Sequence, residues 1–260
     1  MLDDDLNYDD RHIAFLEALW GEGFLSPGGP EEVARILAGL DLTGKTIVDV
    51  GSGAGGITIA LAGQYQAGKV IGLDVEEPVC AHARRRVADA GLTERVEIRQ
   101  VTPGPFPLPD ASVDIVFSKD SIVHIPDKHA LAQDAFRVLR SGGWFAASDW
   151  LISHDSDPSP EMAAYIAQED LGFGMASPSR YRDALSAAGF VDIQLTNRNP
   201  WYRDVAKEEL ARLVGPERQK FEATLSVQEL QGMINTWEAM LVVLDSGEHC
   251  PHHFRARKPH

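Results

Sequence analysis

Two ionisable side chains follow the apolar run Val113–Phe117 at a spacing that suits acid–base chemistry. The segment "SKDSIVHIPDK", residues 118–128, places Asp120 four residues before His124. The apolar run has the length and composition of a buried strand, so both side chains leave the end of that strand. A carboxylate that binds a cation and an imidazole that accepts a proton are common partners in general acid–base catalysis. The competing interpretations are that Asp120 pairs with Lys119 and that His124 caps a helix or hydrogen-bonds within the core.

A glycine-rich segment earlier in the chain indicates a cofactor site. The sequence "IVDVGSGAGG", residues 47–56, has the pattern of a strand, a tight turn and the start of a helix. Its glycines meet the G-x-G-x-x-G spacing of dinucleotide-binding proteins, and Asp74 ends the next predicted strand. Asp74 fits either NAD(P) or S-adenosylmethionine, because both carry a ribose diol that donates hydrogen bonds to a carboxylate. The glycine loop alone therefore leaves both cofactors open.

Asp49 favours S-adenosylmethionine over a dinucleotide. It lies two residues before the first glycine of the loop, at the predicted strand end. A pyrophosphate at this position needs N–H groups and a helix N-terminus, and a nearby carboxylate would repel it. The methionine end of S-adenosylmethionine carries an ammonium and a sulfonium, which a carboxylate attracts. The competing interpretations are a buried Asp49 that caps the next helix, a solvated Asp74 in a turn, and a loop that binds no cofactor.

The elements that must position these residues alternate between strands and helices, which predicts a parallel, doubly wound α/β sheet. The predicted strands are Thr46–Val50, Val70–Val75, Val96–Val101, Val113–Phe117 and Trp144–Ser148. The predicted helices between them are Gly56–Gln64, Pro78–Ala90 and Lys128–Arg140, the last capped by Asp127. Ligands of such sheets bind at the carboxyl ends of the strands, where Asp120 also lies.

The flanking segments predict a gate before the sheet and a lid after it. Asp10–Trp20 has an amphipathic helical pattern, and "GEGFLSPGG" ends it with glycine and proline. Beyond residue 155, Glu161–Glu169, Ser179–Ala188 and parts of 203–246 are predicted to be helical, whereas "VDIQLTNR" has a strand pattern. We expect one domain overall. Its parts are a gate helix and loop (1–30), a cofactor-binding core (31–154), and lid helices with the last strands (155–260).

Four segments in order resemble the core of the class I S-adenosylmethionine-dependent methyltransferases. They are "VDVGSGAGG", "GLDV", "PLPDASVDIVFS" and "VLRSGGWFAASD", all within residues 45–150. The resemblance implies a mostly parallel, Rossmann-like sheet of seven strands with helical lid insertions, and "HHFRARK" would be its last, antiparallel strand. The predicted contacts to S-adenosylmethionine are Leu25, Ser26, Asp49, Gly51, Ser52, Gly53, Gly55, Asp74, Val75, Thr102 and Lys119. Thr102 stands where the family has an aspartate for the adenine amino group, so a backbone group is expected to serve there.

A narrower resemblance points to the phosphoethanolamine N-methyltransferases. It rests on "GEGFLSPGG", "VDVGSGAGG" and "SKDSIVHIPDK", in that order. In that family a tyrosine before the first loop pairs with the histidine as a catalytic dyad, and the aspartate faces the substrate amine. These positions fall on Tyr8, His124 and Asp120. The competing interpretation of Tyr8 is that it belongs to a disordered terminus.

The resemblance breaks down where that family binds phosphate. The family's phosphate-binding tyrosines, arginine and lysine fall on Trp150, Tyr165, Glu169, Leu171 and Met240. The arginine position holds Glu169 and the lysine position holds Met240, so a carboxylate replaces a cation. The predicted substrate contacts are Asp120, Trp150, Tyr165 and Glu169, which suit a cationic amine beside aromatic rings. Arg180 or Arg182 is an alternative source of positive charge.

These residues together predict a SAM-dependent N-methyltransferase of a small amine metabolite. Three alternatives stay open: phosphoethanolamine methylation itself, methyl transfer to oxygen, sulfur or carbon of another small molecule, and a SAM-binding module without catalysis. A nicotinamide-dependent enzyme is a further alternative.

The composition of the chain limits the kinds of molecule that it is expected to bind. The 260 residues carry a formal net charge of -15, which repels nucleic acid and anionic lipid and leaves a small-molecule amine as the expected partner. The two cysteines, Cys80 and Cys250, are too few for a disulfide framework and are expected to be free thiols. We expect a cytoplasmic monomer or homodimer, with no metal site, since the adjacent His252 and His253 would face opposite sides of a strand.

Overall fold

The structure, a computed structural model, describes residues 9–169 and 172–260 and is built around a seven-stranded sheet. The strands are β1 (Thr46–Val50), β2 (Lys69–Asp74), β3 (Val96–Gln100), β4 (Val113–Lys119), β5 (Leu139–Asp149), β6 (Val191–Asn197) and β7 (His252–Arg257). Their order across the sheet is β3-β2-β1-β4-β5-β7-β6. Strands β1 to β5 pair in parallel, and β7 is antiparallel to β5 and β6. The predicted fold class and the antiparallel last strand are therefore confirmed.

Helices cover both faces of the sheet and form a cap over one edge. They are α1 (Asp10–Trp20), α2 (Gly29–Leu37), α3 (Gly56–Gly63), α4 (Glu77–Asp89), α5 (Lys128–Val138), α6 (Pro160–Glu169), α7 (Pro178–Ala187), α8 (Asn199–Val214), α9 (Arg218–Phe221) and α10 (Val227–Ser246). The sequence predictions missed α2, whose first residue, Gly29, was included in the loop "GEGFLSPGG" and is followed by Pro30. Proline is compatible with a first helical turn, where its missing N–H has no intrahelical partner.

The boundary between α5 and β5 differs from the prediction. The helical pattern was expected to reach Arg140, and the strand was expected to begin at Trp144. Instead, α5 ends at Val138 and β5 begins at Leu139, which pairs with Val113 of β4. The pairing satisfies backbone groups that a longer helix would have bonded internally, so tertiary context overrides the local pattern.

Both faces of the central strands are buried, as parallel sheets require. In β1, Ile47 packs with α2, α3 and α4, whereas the next residue, Val48, packs with α5 and α7 on the other face. This alternation follows from the two-residue period of a strand. The carboxyl ends of β1 to β5 consequently meet at one edge, which carries the candidate site.

A third apolar cluster joins α1, α6, α8, α9 and α10 into what we call the helical cap. The carboxylate of Glu209 on α8 joins three helices of the cap. It accepts hydrogen bonds from the indole N–H of Trp20 on α1 at 2.5 Å and of Trp237 on α10 at 3.0 Å. Within the described ranges, none of these helices combines the length and apolar character needed to cross a bilayer.

Candidate active site

The glycine loop after β1 adopts a conformation that other residues rarely take. Gly51, Gly53 and Gly55 have φ angles of 73°, 51° and 90°. A β-carbon on Gly51 would overlap the hydroxyl of Ser121, and one on Gly55 would lie 2.9 Å from the β-carbon of Ala83. The loop therefore needs glycine both for its backbone angles and for its close approach to the exit of β4 and to α4.

Asp74 anchors this loop from the end of β2. Its Oδ2 accepts a hydrogen bond from the Gly53 N–H at 2.8 Å, and its Oδ1 accepts one from the Glu76 N–H at 3.1 Å. Burial raises the pKa of Asp74, and these N–H donors oppose the shift. The neighbouring Ser52 hydroxyl is buried without a hydrogen-bond partner among the described residues. An anchored carboxylate and an unpartnered hydroxyl thus lie side by side along the loop.

Asp49 lies beneath the loop, where it is 1% exposed. Its Oδ2 accepts a hydrogen bond from the Thr58 hydroxyl in the first turn of α3, at 2.7 Å. Burial raises the pKa of Asp49 to about 7, the Thr58 hydrogen bond lowers it, and the charge of Asp74 raises it further. Asp49 does not cap α3, since its partner is the Thr58 side chain and the N-cap residue of α3 is Gly55, which has no side-chain cap. The attraction of Asp49 for a cofactor ammonium stays a prediction.

The segment 21–28, which we call the cover loop, packs on the glycine loop. The Gly56 N–H donates to the carbonyl of Gly23 at 3.0 Å, and Leu25 Cδ1 would lie 3.2 Å from a β-carbon on Gly53. Glu17 of α1 holds the cover loop by accepting a hydrogen bond from the Gly23 N–H at 3.0 Å. The cover loop therefore lies against the predicted cofactor cradle.

Lys119, the last residue of β4, joins the cover loop to Asp120. Its ammonium donates to the Ser26 hydroxyl at 2.7 Å and to the Pro27 carbonyl at 2.8 Å. It also forms an ion pair with the Asp120 carboxylate, and the Lys119 side chain is only 2% exposed. The pairing that the sequence offered as an alternative for Asp120 is thus present. The Lys119 ammonium therefore lies at the junction of the cover loop and the strand.

Asp120 adopts a left-handed backbone conformation with a φ of 54°, which is uncommon outside glycine. Two contacts to Ser148 of β5 hold it there. The Asp120 N–H donates to the Ser148 carbonyl at 2.9 Å, and Asp120 Oδ1 accepts from the Ser148 hydroxyl at 2.6 Å. Backbone strain held by such contacts is typical of functional sites. The carboxylate is positioned before any substrate arrives.

Two buried charged residues hold the short helical turn Ile122–His124. The Lys128 ammonium donates to the carbonyls of Ile122 and Ile125, each at 2.7 Å. Asp149 Oδ1 accepts a hydrogen bond from the Val123 N–H at 2.8 Å. His124 itself is exposed at the end of this turn. The turn is therefore fixed from both sides while its histidine faces outward.

Lys128 and Asp149 were not predicted as site residues. Burial raises the pKa of Asp149 to about 7, opposed by the charge of Lys128 and by a hydrogen bond from the Tyr181 hydroxyl. The sequence placed Lys128 at the exposed start of a helix and Asp149 just past the predicted end of a strand. Burial of these two ionisable side chains beside the His124 turn would have identified them as site residues. The sequence alone does not show that burial.

An aromatic wall follows the turn. The Phe173 ring contacts His124 and Trp150 at centroid distances of 5.4 and 6.0 Å. The Gly174 N–H donates to the Val123 carbonyl at 2.8 Å, which fixes this segment on the turn. The structure therefore brings together His124 and the predicted substrate contact Trp150, with Phe173 in contact with both.

The other predicted substrate contacts lie at the cap end of this wall. Tyr165 is fully buried, and the charge of Glu169 raises its pKa further above the effect of burial. Burial raises the pKa of Glu169 to about 7, and the Tyr165 hydroxyl opposes that shift. The Tyr202 hydroxyl donates to the sulfur of Met240 at 3.4 Å. Glu169 and Met240, which replace the family's phosphate-binding cations, therefore border one aromatic cluster.

The remaining predicted residues lie around this edge or outside the described ranges. Val75 and Thr102 are exposed, just after β2 and β3. Arg180 pairs with Asp155 at 3.3 Å, and Arg182 donates to a carbonyl of β6. Tyr8 and Leu171 lie outside the described residues. In the part of the chain that is described, no three His, Cys, Asp or Glu side chains are arranged to hold a metal ion.

The residues present fit S-adenosylmethionine. The glycine loop has no room for a β-carbon at Gly51 or Gly55. The Ser52 hydroxyl beside it has no hydrogen-bond partner among the described residues. Asp74 ends β2 with a carboxylate that can accept from a ribose diol, and Leu25 and Ser26 lie above the loop. These residues would hold the cofactor, with Asp120 and His124 at the neighbouring strand end.

Comparisons with known proteins agree with this fold. Residues 47–143 match the methyltransferase domain family. The chain is 30% identical over 239 residues to phosphoethanolamine N-methyltransferase 1 of Arabidopsis thaliana, covering 92% of this chain and 47% of that protein. It is 28% identical over 195 residues to sarcosine/dimethylglycine N-methyltransferase of Halorhodospira halochloris, covering 74% and 68%. The chain spans about half the length of the plant relatives that it matches.

One solved structure is similar over almost the whole chain. It is phosphoethanolamine N-methyltransferase 2 of Haemonchus contortus, in complex with phosphomonomethylethanolamine and S-adenosylhomocysteine. The TM-score is 0.89 at 27% identity, and the match covers 99% of this chain and 60% of that one.

Proposed function

This chain has the class I S-adenosylmethionine-dependent methyltransferase fold and a methyltransferase domain, and we propose that it methylates the nitrogen of a small amine that carries no phosphate. The cofactor supplies an electrophilic methyl group when it is bound. The two relatives named above are N-methyltransferases, which supports nitrogen as the acceptor atom here. The protein's own side chains are proposed to bind the amine and to take its proton.

Asp120 is proposed to bind and orient the amine. An alkylammonium loses its proton near pH 10, so at pH 7 its reactive free base costs roughly 4 kcal/mol to form. A carboxylate held by Ser148 and Lys119 attracts the ammonium and fixes its position, which lowers the entropy cost of the transfer. Because Asp120 lies at the end of β4 beside the glycine loop, the amine would be held next to the cofactor cradle.

His124 is proposed to take the proton, directly or through water. It is exposed at the end of a turn that Lys128 and Asp149 hold in place. An imidazole in that position is a suitable general base for an amine bound at Asp120. Tyr8 is proposed as its hydrogen-bonding partner, by the family resemblance.

The observation that carries the choice of acceptor is that Glu169 and Met240 stand where the family has phosphate-binding cations, while the two cations beside the aromatic cluster are already paired, Lys119 with Asp120 and Arg198 with Glu32. Among residues 9–169 and 172–260, no Lys, Arg or His forms an ion pair with Glu169, and Met240 supplies a thioether where the family has a lysine. A phosphate dianion beside Glu169 would be repelled. An ammonium beside the same carboxylate and rings would be attracted.

Two measurements test this function. Calorimetry should show that S-adenosylhomocysteine binds and that NADH does not. His124→Ala should then methylate amines much more slowly while its affinity for S-adenosylhomocysteine changes less than about twofold. A variant with unchanged turnover would remove His124 from the mechanism, and binding of NADH alone would overturn the proposed cofactor.

We also propose that the protein acts in the cytoplasm. Both cysteines, Cys80 and Cys250, are free and buried, which fits a reducing compartment.

A further inference from the structure

Two buried polar atoms near the site have no hydrogen-bond partner among the described residues. They are Nε2 of His249 and the hydroxyl oxygen of Tyr165. Both side chains are fully buried, with a relative exposure of 0%. Buried polar atoms are almost always paired in native structures, so each such atom calls for an explanation. Tyr165, which lies beside Glu169, is a predicted substrate contact, whereas His249 has no role in the methyl transfer proposed above.

The tautomer of His249 follows from its other ring nitrogen. Nδ1 lies 3.2 Å from the carbonyl oxygen of Leu151, which can only accept a hydrogen bond. Nδ1 must therefore carry the proton, and Nε2 of the neutral ring carries a lone pair. Burial also lowers the pKa of His249 to about 4, so the ring is neutral at pH 7. The unpartnered atom is a hydrogen-bond acceptor.

The His249 ring lies in the aromatic cluster that borders the acceptor site. Its centroid is 5.3 Å from that of Trp150, 5.6 Å from that of Tyr165 and 6.1 Å from that of Tyr202. Trp150 and Tyr202 also line a cavity together with Asp120 and Ser148. The His249 ring therefore contacts two residues that line the cavity containing the proposed amine-binding carboxylate.

The chain that leaves β5 anchors both ends of this site. The Ser148 hydroxyl donates to Asp120, whereas the carbonyl of Leu151, three residues further on, lies 3.2 Å from Nδ1 of His249. The charge of Asp120 raises the pKa of His249 against the effect of burial, so the two side chains are within electrostatic range of each other. A molecule that contacts both side chains is therefore a small one.

We propose that His249 and Tyr165 form a second polar subsite, which binds an N–H or O–H donor at the far end of the methyl acceptor. The inference rests on the proposed N-methyltransferase function, because it assigns the other end of the same acceptor to Asp120. Nε2 accepts the donor's hydrogen, and the Tyr165 hydroxyl contributes a second contact. The acceptor class is therefore a short amine that carries a hydroxyl or a second ammonium group at its other end. His249 is a specificity residue that positions the substrate and takes no part in proton transfer.

Calorimetry on the protein saturated with S-adenosylhomocysteine tests the subsite without turnover. The probes are ethanolamine, 1,2-diaminoethane and n-propylamine, which have similar size but differ in the far group. We expect one of the first two to bind at least about tenfold more tightly than n-propylamine, or about 1.4 kcal/mol. A preference for ethanolamine identifies a hydroxyl, and a preference for 1,2-diaminoethane identifies an ammonium.

Variants at position 249 test whether the lone pair on Nε2 of His249 causes the preference among the three amines. His249→Phe keeps a ring but removes the acceptor and should abolish the difference between the probes, whereas His249→Gln should retain part of it. His129→Phe, at an exposed histidine of α5, is the matched control. If His249→Phe no longer binds S-adenosylhomocysteine, Tyr165→Phe replaces it and should reduce the difference.

Two results would overturn the subsite: equal binding of all three amines to the wild-type protein, or an equal loss for all three in His249→Phe. If the amines bind with the expected preference but are never methylated, the subsite stands and the proposed N-methyltransferase function fails. The two claims therefore fail separately.

Discussion

The ammonium of Lys119 lies 2.7 Å from the hydroxyl of Ser26 and so ties the cover loop to the end of β4. The same ammonium pairs with Asp120, which we propose binds the amine. One buried cation thus connects the loop above the cofactor cradle with the residue that orients the acceptor.

Lys119→Met should weaken both cofactor binding and the positioning of Asp120. It removes two hydrogen bonds to the cover loop and leaves Asp120 without its cation, and breaking a buried pair costs about 3 kcal/mol of stability. We expect the dissociation constant of S-adenosylhomocysteine to rise about tenfold. Lys45→Met, at an exposed lysine, is the control. Calorimetry and urea unfolding of both variants measure these effects, and unchanged cofactor binding in Lys119→Met would show that the tie is dispensable.

Gly51→Ala should abolish cofactor binding through a clash with Ser121. The new β-carbon overlaps the Ser121 side chain, and the φ of 73° disfavours any side chain. Adding Ser121→Gly removes the clash but not the backbone cost, so the double variant should recover part of the stability and of the affinity. Thermal unfolding with and without S-adenosylhomocysteine measures both. Additive losses in the double variant would show that the two residues do not interact.

Asp49→Asn should stabilise the protein at alkaline pH while weakening cofactor binding. The folded pKa of about 7 lies above the ordinary value of 3.8, so the folded state holds its proton while the unfolded chain ionises. Stability is therefore lost as the pH rises from about 4 to 7, by up to roughly 4 kcal/mol at pH 8. Asparagine removes this loss and can still accept from Thr58.

Urea unfolding at pH 5 and pH 8 checks the first effect of Asp49→Asn, whose gain should be larger at pH 8. The second effect is measured by calorimetry at pH 8. Without the carboxylate, S-adenosylhomocysteine should bind about tenfold more weakly, because its ammonium loses an attractive charge. Tighter binding in the variant would contradict the electrostatic role assigned to Asp49.

Lys128→Met should slow turnover with little effect on the cofactor. The variant loses the donors to the Ile122 and Ile125 carbonyls and leaves the buried Asp149 without its cation, so the His124 turn loses its fixed position. A misplaced general base costs about 10²-fold in rate. We expect kcat to fall by about that factor while the affinity for S-adenosylhomocysteine changes less than about twofold. Equal losses in kcat and cofactor affinity would indicate general unfolding.

The sequence predicted the parts of the site that follow directly from strand periodicity and glycine spacing. Asp74 and Asp120 are found at strand ends because the apolar runs before them are unambiguous. Gly51, Gly53 and Gly55 were assigned to the loop for the same reason, since their spacing needs a strand before it and a helix after it.

The residues that were missed depend on contacts between distant segments. Lys128 has the type and position of a solvated helix residue, yet it is buried against the His124 turn. His249 was not singled out from the sequence, yet it lies in the aromatic cluster beside Trp150. Such roles follow from tertiary packing, which no local pattern of residue types specifies.

The central claim is that this protein methylates an amine without phosphate, and transfer of a labelled methyl group from S-adenosylmethionine tests it most directly. Ethanolamine and ethanolamine phosphate would be offered singly and in competition, with mass spectrometry locating the new methyl group. The absence of a cation at Glu169 and Met240 predicts N-methylation of ethanolamine with a kcat/KM at least about tenfold above that of its phosphate ester. Methylation of ethanolamine phosphate alone would contradict the account.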